Sequence, residues 1–190
     1  MKLRIVAFTF FLFQAFALLA QDMNTLKSEA LRSYKAGINM NYEDIFDTTY
    51  PKVFDIVSKD QMKEMFGQMM DNEQFSIKLI ESDPKFLFGE IKKIEDKLFC
   101  VLTYNNVMEM TFKVPMEDPE GMLDVFKVNM GAEKVTYNKL TSTFKIELRS
   151  TLIAVADSLT NNKWKFLNKD NENKMFSMIF NDKIQKQLGL

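Results

Sequence analysis

Histidine is absent from the 190 residues, and Cys100 is the only cysteine. Without histidine there is no Ser-His-Asp or Cys-His catalytic arrangement and no imidazole metal ligand. A lone cysteine excludes an intramolecular disulfide and, with no histidine beside it, the ligand sets of zinc sites. The six glycines are scattered, so no glycine-rich loop cradles a phosphate. Arginine is confined to Arg4, Arg32 and Arg149, and the formal net charge is −1. No basic stripe follows from that distribution, which argues against a nucleic-acid partner. Past the first 20 residues no apolar run reaches the roughly 20 residues that a spanning helix needs. No motif for a cofactor or a metal is legible.

What is present begins with a secretory layout at residues 1–20. Lys2 and Arg4 supply the positive start, Ile5 to Phe13 and Ala15 to Leu19 the apolar run, and Ala20 a small residue at the expected cleavage point. No cysteine stands at the junction, which argues against a bacterial lipoprotein. The expectation is a signal peptide at 1–20 and one soluble domain at 21–190, exported to a periplasm or to the extracellular space. Cys100, in an apolar strand, is expected to be a small buried side chain.

The front third reads as helical. Leu26, Ala30, Leu31, Tyr34 and Ile38 share one face of a helix over 24–40, with Asn24 or Thr25 as cap. Asn41 opens a second piece over 42–49. Tyr50-Pro51 breaks it, because proline disfavours helix in the residue before it, and Pro51 suits the first turn of a third piece. Ser58 and Gln61 match a capping box before Met62, Met65, Phe66 and Met69.

Strands follow. Phe75, Ile77 and Leu79 alternate with polar residues, and a second strand is expected at 86–94. Over 98–114 an Asn105-Asn106 hairpin turn would place Leu102 and Tyr104 on the face of Glu109 and Thr111. An uninterrupted strand instead puts Leu98, Cys100, Leu102, Tyr104, Met108, Met110, Phe112 and Val114 on one face. One long, bent strand, bulged near the asparagines, is therefore expected. Asp118-Pro119-Glu120 starts a helix that Gly131 ends, with Met122, Leu123, Phe126 and Met130 inward.

Residues 143–167 form the clearest strand–turn–strand unit. Phe144, Ile146 and Leu148 alternate with Lys145, Glu147 and Arg149. At Leu152 to Ala156 both faces turn apolar, which calls for cover on both sides. Asp157 to Asn162 supplies the turn, and Trp164 and Phe166 return. A closing helix capped by Asp170 or Asn171 runs to Ile179, and Asn181-Asp182 caps a last turn.

The class expected is α+β: N-terminal helices packed on a strongly bent, mainly antiparallel sheet, with a helix inserted near 118–130 and another at the C-terminus. The helical front with Tyr50-Pro51 and the late hairpin LIAVADSLTNNKWKFLN resemble the nuclear-transport-factor-two-like superfamily. That resemblance implies a cone-shaped sheet with an apolar pocket. It also implies a range of roles, from isomerases and dehydratases to non-enzymatic binding or dimerisation modules. The helix at 118–130 and the closing helices depart from the family pattern, and no catalytic residue of the family can be placed on this chain.

The residues that would line such a pocket are Tyr34, Tyr104, Met108, Met110, Phe144 and Trp164. Glu109 is the nearest candidate base, but parity points it to the other face. Methionines at helical spacing, Met62, Met65, Met69 and Met70, can bind Cu(I) in principle but are expected to fill core. The acids at 43–47, 117–120 and 170–172 suit helix starts, not a calcium loop. The functional expectation is a non-catalytic exported domain binding an apolar small molecule or a protein partner. The alternatives are an isomerase- or dehydratase-like enzyme using a buried carboxylate and a tyrosine, and a homodimeric structural module.

Overall fold

The structure, a computed structural model, describes residues 23–114, 116–169 and 174–190. The expected signal peptide and the expected cap at Asp170 or Asn171 lie outside the described residues. Helix α1 occupies 23–38, so Asn24 and Thr25 lie inside it and not at its cap. Helix α2 spans Tyr42–Thr48, and the Asn41 side chain accepts from the Asp44 N–H as its cap. A 3-10 turn at Pro51–Asp55 leads to α3, Lys59–Met70, where Ser58 and Gln61 form both halves of a capping box.

Among the described residues seven strands then build one antiparallel sheet: β1 (Phe75–Leu79), β2 (Leu87–Phe88), β3 (Lys92–Ile94), β4 (Lys97–Phe112), β5 (Ala132–Asn138), β6 (Thr143–Ala156) and β7 (Lys165–Asn168). Helix α4 (Pro119–Met130) sits between β4 and β5, and α5 (Lys174–Ile179) and α6 (Asp182–Leu188) close the chain. Asp118 caps α4 on the Gly121 N–H, and Gly131 ends it at φ 65°, a left-handed conformation open to glycine without penalty. The α+β class and the antiparallel sheet are as expected. Among the described residues no helix is long and apolar enough to cross a membrane.

Two long strands carry the sheet. β4 and β6 stay in one register from Leu98 opposite Ala156 to Thr111 opposite Thr143. The single long strand expected from parity is present, but it has no bulge at the asparagines. Asn105 and Asn106 pair in line with Arg149 and Leu148. The register shift falls instead between Ala132 and Lys134 on β5. On the outer side of β4 lie β3, β2 and β1, and on the outer side of β6 lie β5 and β7. The strand expected over 86–94 is broken into β2 and β3. At Gly89 the backbone passes so close to β4 that an added Cβ would lie 2.8 Å from the Val101 carbonyl oxygen.

Parity then decides what each face meets. One face of β4 and β6 is apolar toward both ends and is interrupted at its middle by Asn106 and Ser150, whose side chains are hydrogen-bonded at 3.3 Å. Its Cys100, Leu102, Leu152 and Ala154 pack with Leu26 and Ala30 of α1, while its Met108, Met110, Phe144 and Ile146 pack with Phe126 of α4. The other face is apolar at one end only. There Phe99, Ile153, Val155 and Leu167 meet Tyr50, Val53, Phe176, Phe180 and Ile184. This is the two-sided cover that the run at 152–156 called for. Toward the far end the same face turns polar, and Glu109 sits between Lys78 and Lys145 in one cross-strand row.

Several side chains depart from the expected pattern. Leu31 is 40% exposed, because α1 turns Ala30, Tyr34 and Ala36 inward and leaves Leu31 beside them at the surface. Val114 is 56% exposed, since β4 ends at Phe112. Met65 and Met69 are exposed, not core, and α3 has no buried residue at all.

Candidate functional site

The six pocket candidates fall into two groups on one sheet face. Trp164 and Tyr104 belong to the cluster under α1, and Tyr34, on α1, meets it through the Tyr104 ring. The Tyr34 hydroxyl donates to the Ser82 carbonyl at 2.9 Å and accepts from the Ser82 N–H at 3.0 Å, which ties the 80–86 loop to the helix. Its ring meets Tyr104 edge-on at 5.9 Å and Phe86 at 6.2 Å. Burial raises the Tyr104 phenol above its usual range, against a hydrogen bond with Ser150 that lowers it.

Met108, Met110 and Phe144 belong to the second cluster, under α4. Phe144 is fully buried, with Tyr137 at 4.5 Å, Phe126 at 5.1 Å and Phe112 at 5.8 Å between ring centres. The two groups belong to separate apolar clusters. Two surface depressions, of about 350 and 460 Å³, are lined by other residues. The first lies along α1 and α2, with Arg32 and Asp44; the second lies on the polar sheet face, with Glu109, Thr143 and Lys145.

A buried carboxylate paired with a tyrosine does exist, at a place sequence reasoning did not single out. Tyr50 donates its hydroxyl to Asp157 Oδ2 at 2.8 Å, and both residues are buried. Asp157 Oδ1 accepts the Thr160 N–H at 3.1 Å, and Thr160 Oγ1 accepts the Asp157 N–H and donates to the Asp157 carbonyl. Burial first, then the bond and charge of Asp157, hold the Tyr50 phenol well above its ordinary range. The ring stacks on Phe180 at 5.5 Å, and the Tyr50 N–H bonds the Phe166 carbonyl. The node therefore joins the helical front, the end of β6 and α5 with its flank. The one sequence signal for it was an Asp followed three residues later by Thr, a cap spacing.

At the surface, Arg32 binds Asp44 through Nε and Nη2 and Asp47 through Nη1. Lys165 also reaches Asp47, at 3.3 Å. Partial burial alone would raise the Asp47 carboxyl, but the bond to Arg32 and the charge of Lys165 outweigh it and lower it. This network clips α1, α2 and β7 together. Cys100 is buried, its thiol donates to the Gly89 carbonyl, and burial pushes it up to about 11. Among the described residues no group of three acidic or cysteine side chains is placed to hold a metal ion.

The exposed side of α3 is the remaining feature. Met62 touches the cluster around Tyr50, and Lys59 and Lys63 lie over the rings of Phe54, Phe46 and Tyr42 at 5.1 to 5.8 Å. Met65 and Met69, one turn apart, stand 60% and 46% exposed.

No protein-family model matches the chain, and neither does any curated protein or solved structure.

Proposed function

We infer that the chain is a non-catalytic exported domain that binds a protein partner. The observation that carries this reading is where the apolar side chains go. The aromatic and methionine residues that would line a ligand pocket fall in separate apolar clusters under α1 and α4, while Met65 and Met69 project from a helix with no buried residue. Methionine is flexible and polarisable and is enriched at protein interfaces. The resemblance to the nuclear-transport-factor-two-like superfamily, many of whose members are non-enzymatic binding modules, points the same way. An enzyme reading would draw on Tyr50 and Asp157. Both carboxylate oxygens there already accept protein hydrogen bonds, and neither residue lines either depression.

The test is residue-level labelling of lysines and carboxylates in the intact producing cell and on the purified chain. A contiguous surface protected several-fold in the cell is the expected result. Uniform labelling in both overturns the reading. Native mass spectrometry runs beside it: a retained small molecule would restore the apolar-ligand alternative.

A further inference from the structure

We propose that Met62, Met65 and Met69 of α3 form a thioether site for a soft monovalent metal ion, Cu(I). The assignment goes beyond the partner reading and does not depend on it. Spacing is its starting point. Successive helical residues are turned by about 100°, so positions 62, 65 and 69 fall within an arc of about 60° on one side of α3. Met62 and Met65 are neighbours at i, i+3, and Met65 and Met69 at i, i+4, with about 5–6 Å between the Cβ atoms of each pair. An unbranched side chain with three rotatable bonds can turn its sulfur along the helix toward the next one. Burial sets this trio apart from the methionines of the core. Met108 and Met110 are buried under α4, whereas Met65 and Met69 are exposed, and Met62 is half-buried where it touches the cluster around Tyr50. The trio therefore has one end anchored on the body of the protein and two sulfurs open to an incoming ion.

Donor chemistry, not charge, selects the ion. A thioether is a soft, neutral donor that suits Cu(I), whereas Zn(II) takes thiolate, imidazole or carboxylate, and Ca(II) and Mg(II) take oxygen. The chain has no histidine, and its one thiol is buried and donates to the Gly89 carbonyl. Exposed methionine sulfurs are thus the soft donors an ion can reach among the described residues. A thioether gives up no proton on binding and needs no charged partner. Gln61 and Gln68, which border the trio, are neutral, and the ammonium groups of Lys59 and Lys63 are held over the rings of Phe46, Phe54 and Tyr42.

The experiment is an anaerobic titration of the purified chain with Cu(I), kept reduced by ascorbate and followed through the methionine methyl signals in carbon–proton NMR. The methyls of Met62, Met65 and Met69 are expected to shift together and to saturate at a single equivalent, while those of Met108 and Met110 stay in place. Met65→Leu with Met69→Leu keeps the apolar volume and the helix propensity, so the far-ultraviolet circular dichroism should not change. It should weaken binding by more than about tenfold, a loss that disturbing even the groups around metal ligands produces. Met62→Leu alone should weaken binding several-fold. No shift, equal binding by the double variant, or full binding by Met62→Leu overturns the three-donor site. So does a shift of Met178, exposed on α5 outside the trio, in step with the others, which would mean thioether contact without chelation. The same shifts with Zn(II) would also overturn it. The labelling experiment on the partner surface is read without added metal, so a failed titration removes the copper site and leaves the binding-domain reading standing.

Discussion

Tyr50 and Asp157 lie 107 residues apart and meet in a fully enclosed hydrogen bond. Removing the hydroxyl with Tyr50→Phe leaves a buried carboxylate oxygen without its donor, and an unsatisfied buried group costs about 1–3 kcal/mol. Urea unfolding should register a loss of that size with an unchanged m-value; a change under about 0.5 kcal/mol would mean the bond contributes nothing net. Asp157→Asn should cost less, because a carboxamide can still accept from the Thr160 N–H while donating to the phenol oxygen. The same node responds to alkali. The Tyr50 pKa is raised in the fold, so its contribution to stability is complete below about pH 10, the usual tyrosine value, and is lost as pH climbs through the folded value. An absorbance titration should show a late-ionising tyrosine that is missing from Tyr50→Phe. For Cys100, a thiol reagent should react at the rate of unfolding, since a buried thiol raised to about 11 offers little thiolate; fast reaction of the native chain would contradict its burial. None of the long-range pairing was legible beforehand. Tyr50 was legible only as the residue before a proline, and Asp157 only as a turn former. Leu31 was misplaced for a related reason, because a 3.6-residue period fixes a helix's apolar arc but not which edge of it the sheet covers.

At the scale of elements, patterning was informative wherever one face is buried. Alternation from Leu98 to Phe112 was enough to choose one strand over a hairpin, because a slip of one residue would have driven Glu109 under α4. The asparagines invited a bulge from their turn propensity, and pairing to Arg149 and Leu148 on a long neighbour overrode it. Capping chemistry at Ser58, Asp118 and Asn181 placed three helix starts correctly, since each cap is a local interaction. The break between β2 and β3 was not legible, because the close approach at Gly89 depends on β4 and not on its own neighbours. Gly89→Ala should force that crossing apart and lower stability by about 1–3 kcal/mol, the usual cost of overpacking. A thermal melt within a degree of the parent would show that the backbone yields there without strain.

At the scale of the whole molecule, one sheet serves three covers. α1 and α4 divide the apolar face, and α5 with α6 shelters the apolar end of the other. The layer order was readable in outline from the two-sided apolar run at 152–156, but its occupant was not, since nothing in that run distinguishes a front helix from a closing one. The assignment makes a strong demand of the last residues. A chain ending at Asn168 would strip Phe176, Phe180 and Ile184 from Phe99, Ile153, Val155 and Leu167 and leave only Tyr50 and Val53 over them, and it should bind a hydrophobic dye and weaken its near-ultraviolet circular dichroism. A truncated chain that still melts cooperatively would show that α5 and α6 are dispensable cover.

The pairing of β4 with β6 also sets an order of events. The two strands are joined through residues 113–142, so the contact nearest in sequence is Thr111 with Thr143 and the most distant is Leu98 with Ala156. Closing the shorter loop costs less chain entropy, and each rung formed shortens the search for the next. Refolding should therefore begin around α4 and the Thr111–Thr143 rung and zip toward Ala156, with the seat for Tyr50 and the closing helices completed last.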